Sequence, residues 1–326
     1  MQFRTRFVVA TITAGALAVA PIAAATVTGV GVLTGAVNER NPAAAWSDAS
    51  QSTHYLAWSQ NSAGAPNHYD AYFRSGSGTP VKLNLKGQGW TGGIDGAAGL
   101  VVYQRIYNGQ SDIKLYDINA GTWPSFPNGF SPNTTRWEWH PTIAGDYVLF
   151  NRDDVSTPTE RVVVYRLSTG QVTQLDTTTA QTSALYAGQV NGNWAVWTKC
   201  NPRCKVYRDD LSSLPTVAPQ LLERPAVNPL PQQYGAGVTS TGVVYLARSG
   251  TTCGSNVKIV RYFGADPSSG TPDPATGTVI WNVAFGRDLT FGYARENPVD
   301  SSVDYFYDRI TCNSAQWDVY KITDGP

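Results

Sequence analysis

One pattern recurs six times along this 326-residue chain and limits what it can fold into. Six segments read Tyr55-LAWS-Gln60, Leu100-VVYQ-Arg105, Tyr147-VLFN-Arg152, Trp194-AVWT-Lys199, Val243-VYLA-Arg248 and Thr290-FGYA-Arg295. Their last residues lie 45, 47, 47, 49 and 47 positions apart. The fourth position holds Trp58, Tyr103, Phe150, Trp197, Leu246 or Tyr293, so one apolar side chain returns per period. Short runs of this composition are buried strands. A second column, Trp46, Trp90, Trp139, Tyr186, Tyr234 and Trp281, precedes each strand end by 13 to 15 positions. Turn sequences such as Asp95-Gly96, Gly145-Asp146 and Gly192-Asn193 separate the two columns, which predicts a hairpin of a first and a second strand. A third strand ends in stretches such as Ile113-KLYDINAG-Thr122, and a short fourth follows, as in Val172-TQL.

Four antiparallel strands per period, six times over, predict an all-β, six-bladed β-propeller of four-stranded blades. The prediction assigns residues 26–326 to a single domain. The sixth repeat stops after its third strand, at Asp324-Gly325-Pro326. The β-prone stretch Thr26–Val37 is therefore expected to pair with Trp317–Ile322 and close the ring, since a blade left half paired exposes an edge. Glu296–Gln316, with its strand-like Val303–Ile310, reads as an insertion between the second and third strands of the last blade.

The second-strand column and the third-strand ends of the type Val164-YRLST-Gly170 resemble the exported, TolB-like family of six-bladed propellers. The resemblance covers about residues 40–326. It implies the propeller fold and an exported protein, and it transfers no functional residue.

Residues 1–25 have the form of a secretory signal peptide: Arg4 and Arg6, an uncharged stretch from Phe7, and small residues at Ala23-Ala24-Ala25. An uncleaved anchor is the alternative reading of the same stretch. Export predicts a secreted, extracellular or cell-envelope protein with no membrane span after cleavage. The four cysteines, Cys200, Cys204, Cys253 and Cys312, then suggest two disulfides. The expected pairs are Cys200 with Cys204, across one hairpin, and Cys253 with Cys312, between neighbouring blades.

Charge excludes some functions. Lys and Arg number 24 and Asp and Glu 24, a balance that argues against nucleic-acid binding. The chain has three histidines and no Gly-x-Ser-x-Gly elbow, HExxH helix, P-loop or Rossmann glycine pattern, so no catalytic residue, metal site or cofactor is assigned. Asn133-Thr134-Thr135 is a glycosylation sequon.

In a propeller blade the first strand starts and the second ends on the same rim. The candidate ligand-binding rim is therefore Trp46, Trp90, Trp139, His140, Arg105, Arg152, Lys199, Arg248 and Arg295. Cations there would focus a positive potential, and aromatic faces beside them suit sugars. The same columns also serve blade packing, with Asp48, Asp95, Asp146, Asp153, Asp154 and Glu296 available as partners for the cations. The expectation is a monomeric, non-catalytic exported propeller that binds a protein, peptide or cell-wall glycan through this rim. The alternative is a polysaccharide hydrolase or lyase with two carboxylates about 5–10 Å apart at the channel mouth, drawn from Asp48, Asp95, Asp153, Asp154 and Glu296.

Overall fold

The computed structural model describes residues 28–33, 39–47, 53–62, 65–84, 90–129, 131–154, 157, 159–179, 184–201, 203–222, 232–249, 257–264, 277–283, 287–297, 300–312 and 317–325. The expected signal peptide, Asp48 and Cys253 lie outside these residues. No α-helix occurs among the described residues, and none of their helical turns is long and apolar enough to cross a membrane. Strand β1 (Thr28–Leu33) comes first. The first sheet holds β2 (Glu39–Ser47), β3 (His54–Ser62), β4 (Ala65–Ser75) and β5 (Val81–Lys82). The second has three strands, β6 (Trp90–Ala97), β7 (Leu100–Tyr107) and β8 (Gln110–Asp117). The third holds β9 (Trp137–Ala144), β10 (Tyr147–Asp153), β11 (Glu160–Arg166) and β12 (Val172–Thr178). The fourth holds β13 (Ala184–Asn191), β14 (Trp194–Cys200), β15 (Cys204–Asp210) and β16 (Gln220–Leu221). The fifth holds β17 (Gln232–Val238), β18 (Val244–Ser249), β19 (Lys258–Tyr262) and β20 (Thr278–Asn282). In the sixth, β21 (Arg287–Glu296), β22 (Val303–Thr311) and β23 (Trp317–Asp324) are completed by β1, which pairs antiparallel with β23 from Thr28↔Thr323 to Leu33↔Val319.

The hydrophobic core is divided among the seams between consecutive sheets. Leu149 and Val164 of the third sheet pack with Leu185 and Trp197 of the fourth. Val196 and Val206 of the fourth meet Leu246 and Val260 of the fifth. Leu56 and Trp58 of the first sheet meet Val319 of the sixth. The apolar column of the second strands supplies these seams: Trp58, Tyr103, Phe150, Trp197 and Leu246 are all buried. Polar side chains one position later reach across. Ser59 donates to the carbonyl of Gly92 at 2.6 Å, and Asn151 brackets Leu185 and Ala187 of the next innermost strand. Repeating a position in every period thus satisfies the same seam each time.

Every innermost strand is also broken by an extra residue or two. The ladder slips between Thr91 and Ile94, between Trp139 and Thr142, between Ala187 and Val190, between Tyr234 and Gly237, between Leu289 and Gly292, and between Arg40 and Ala44. These are β-bulges, which bend a strand and re-aim its side chains. Glycines sit in or beside several of them because innermost strands approach closely there. A Cβ built on Gly93 would lie 2.8 Å from the Cα of His140, and one on Gly237 would lie 2.9 Å from the carbonyl carbon of Tyr293. Gly237→Ala is therefore expected to lower stability by about 2–3 kcal/mol, because backbone on both sides must shift. Urea unfolding measures it, and an unchanged midpoint would mean that the fifth and sixth sheets are not in register.

The bulges correct the sequence reading in two places. Thr290–Arg295 lies in β21, an innermost strand, and not in a second strand. The stretch read as an insertion is the true second strand, β22, whose Asp304-YFYD-Arg309 matches the column fourteen residues later. Trp281 consequently lies in β20, the outer strand of the fifth sheet. Trp46 follows the bulge of β2, opposite Tyr55, whereas Trp139 precedes its own bulge. Seven positions separate Ser47 from its partner His54, against three between Ala144 and Tyr147, which gives the matching spacing without the matching position.

Candidate functional site at the rim of the third and fourth sheets

The two ends of the innermost strands differ in chemistry. At their C-terminal ends buried polar groups tie distant sheets together. Asp95 is fully buried, forms an ion pair with Arg295 and accepts from the amide of Ile143 at 3.0 Å, which joins the second, sixth and third sheets. Gln189 accepts from the amides of Val238 and Ala294 at 3.0 and 2.8 Å and donates to the carbonyl of Ala294 at 2.9 Å. Glu296 accepts from Asn191 at 2.9 Å and from the amide of Ser240. Arg295 and Glu296 thus stand at the end opposite the expected rim, a correction that follows from the reassignment of β21. Desolvation pushes the Asp95 carboxyl above the usual carboxylate range despite Arg295.

At the N-terminal ends the expected cations are partnered. Arg105 meets Asp112 at 3.3 Å, Arg152 meets Glu138 at 3.0 Å, Lys199 meets Asp176 at 2.7 Å, and Arg248 donates to the Tyr262 hydroxyl. Arg152 and Glu138 face each other across β9 and β10, so that pair lies within one sheet, whereas Lys199 reaches the outer strand of the preceding sheet. These cations lock strands, and only the Lys199–Asp176 pair spans two sheets. Trp90 opens β6 at the same end. The disulfide Cys200–Cys204 closes the hairpin between β14 and β15, with the two residues opposite each other. Cys312 is also disulfide-bonded.

Trp139, His140 and Asp153 come together with Tyr186 of the aromatic column and with Glu160, which the sequence did not single out. Trp139 donates its indole N–H to Asp153 Oδ2 at 2.7 Å and stands edge-on to Tyr186 at 6.0 Å and to His140 at 4.5 Å. Asp153 and Glu160 are direct cross-strand partners, and Glu160 Oε2 accepts from the amide of Leu185 at 2.6 Å. The other oxygen of Asp153 is buried and has no hydrogen-bond partner among the described residues. Tyr186 is 38% exposed, so this polar cluster lies beside an exposed aromatic ring. Burial, helped by the neighbouring Glu160 charge, raises Asp153 to about 7. Burial alone lowers His140 to about 4, leaving a neutral imidazole at φ +50° in the bulge. No group of three metal-ligating side chains occurs among the described residues.

The raised carboxyl makes a pH prediction. Asp153 binds its proton more tightly folded than unfolded (about 7 against 3.8). Its contribution to stability is thus fully present below pH 4 and lost as pH rises through 7. Asp153→Asn keeps the neutral form, so its melting temperature should rise relative to wild type between pH 5 and pH 8. Parallel melting curves across that range would refute a buried, protonated Asp153.

Glu160 escaped sequence reasoning because only the β10–β11 register places it opposite Asp153. Tyr186 had a signal, its place in the aromatic column.

No protein-family model and no curated protein matches the sequence. Solved structures share its fold. A protein of unknown function from Dyadobacter fermentans aligns with TM-score 0.58 and 10% identity, over 92% of this chain and 99% of that one. The GH93 α-L-arabinofuranosidase of Fusarium graminearum, in complex with arabinobiose, aligns with TM-score 0.56 and 12% identity, over 90% and 96%. The putative TolB of Agrobacterium tumefaciens aligns with TM-score 0.52 and 10% identity, over 90% and 100%. The chain spans 64% of the longer TolB of Acinetobacter baumannii. The fold of this chain is that of the β-propellers. Within that class its fold is similar to that of the putative TolB.

Proposed function

We propose that the protein is an exported, non-catalytic six-bladed propeller, its ring closed by β1, that binds a cell-wall glycan at the rim between the third and fourth sheets. The observation that carries this reading is the exposed ring of Tyr186 standing on Trp139 beside two acids. Sugars offer CH faces to such rings and hydroxyls to such carboxyls. A protonated Asp153 donates to a sugar oxygen, and an ionised one accepts from a hydroxyl. The signal-like residues 1–25 and the Cys200–Cys204 disulfide support export.

Hydrolysis is the second reading, favoured by a carboxyl raised to about 7 next to another acid. Binding is preferred because Asp153 and Glu160 are neighbours on one sheet face. Catalytic carboxyls flank the scissile bond from two sides. A glycan array probed with the mature chain tests the proposal. Tyr186→Ala should reduce binding of the best ligand by at least roughly tenfold, about 1.4 kcal/mol. Unchanged binding in Tyr186→Ala would move the site elsewhere.

A further inference from the structure

The second sheet is the one sheet that has no outer strand among the described residues. Along the outer edge of β8 lies a cavity of about 510 Å³ whose walls include Tyr103, Arg105, Lys114, Trp123, Phe126 and Asn133. The backbone of an edge strand turns outward at every second residue. At Ile113 that outward position is filled by a side chain: Asn133 Oδ1 accepts from its amide at 2.6 Å and Asn133 Nδ2 donates to its carbonyl at 2.9 Å. These bonds also occupy the amide nitrogen of the sequon. At Asp117 it is filled by a turn, with the amide donating to the Thr122 carbonyl and the carbonyl accepting from Gly121, each at 2.9 Å. Leu115 lies between them. It is 3% exposed, and neither its N–H nor its C=O has a hydrogen-bond partner among the described residues. Buried backbone groups are rarely left so.

We propose that this cavity binds a short acidic peptide, one residue of which pairs through its own C=O and N–H with the N–H and C=O of Leu115. The flanking positions are taken, so a long added strand does not fit and a single extended residue does. Arg105 and Lys114 line the cavity, whereas Asp112, which pairs with both at 3.3 and 3.2 Å, does not. The wall is thus cationic and suits a carboxylate. Trp123 hydrogen-bonds the Tyr103 hydroxyl and stays 43% exposed, which leaves it available to an apolar side chain of the peptide.

Amide hydrogen exchange of the full chain with acetyl-alanyl-glutamate as probe tests the proposal without altering the protein. Exchange at Leu115 should slow at least roughly tenfold at saturation, and the analogue N-methylated at both amides should lose that protection. Lys114→Gln, at a partly exposed side chain, should weaken the probe several-fold and leave the melting temperature unchanged. Unchanged exchange at millimolar probe would overturn the proposal. So would equal protection by the N-methylated analogue, or protection by N-acetylglucosamine and not by the peptide.

Discussion

Arg295→Met should lower the unfolding free energy at neutral pH by about 3–5 kcal/mol, since it strands a buried carboxylate. Asp95 has no exposure, and Arg295 is its ion-pair partner across the end of the innermost strands. The loss should depend on pH. Without Arg295 the Asp95 carboxyl rises further, so the folded state tolerates it only when protonated. The penalty is then small near pH 3.5, below the unfolded value of 3.8, and grows as pH rises. Adding Asp95→Leu should recover much of the loss, because an apolar pair of similar volume leaves no buried charge. Chemical unfolding at pH 3.5 and 7.5 checks both statements. Equal losses at the two pH values would show that Asp95 reaches solvent.

Removing residues 1–36 should have the second large effect. The five register pairs between β1 and β23, at roughly 1 kcal/mol per ladder bond, suggest a loss of about 3–5 kcal/mol. The edge of β23 would then be open to pairing with another copy, so the truncated chain should also associate. A synthetic peptide of residues 26–36 added in trans should restore both the melting temperature and the monomer. A truncated chain that stays monomeric at the wild-type melting temperature would remove β1 from the account of ring closure.

How much of this was legible in the sequence depended on what a spacing can encode. The seam positions Trp58, Tyr103, Phe150, Trp197 and Leu246 were legible because each blade repeats the same contact. The pairing of β1 with β23 followed from counting strands in the last repeat. The last repeat itself was misread because Thr290–Arg295 and Asp304–Arg309 share one apolar-aromatic-basic pattern, and a period of two does not separate an innermost strand from its neighbour. Glycines within strands, at Gly92-Gly93, Gly188 and Gly235, mark the bulges that do separate them. At the rim, Trp139 was legible from its column, His140 as its neighbour, and Asp153 only as one of several available acids. The cations were legible as a column with acidic partners, but the partners themselves were not: Glu138 meets Arg152 through hairpin register, and Asp176 meets Lys199 from the preceding sheet.

The most direct test is titration of the mature chain with the best array glycan at pH 5 and pH 8, followed by mass analysis of the glycan. Binding should be saturable and should weaken in Asp153→Asn at pH 8, where wild type offers a charged acceptor, with the glycan recovered intact. Cleaved glycan lost in Asp153→Asn would contradict that expectation and make this rim an active site.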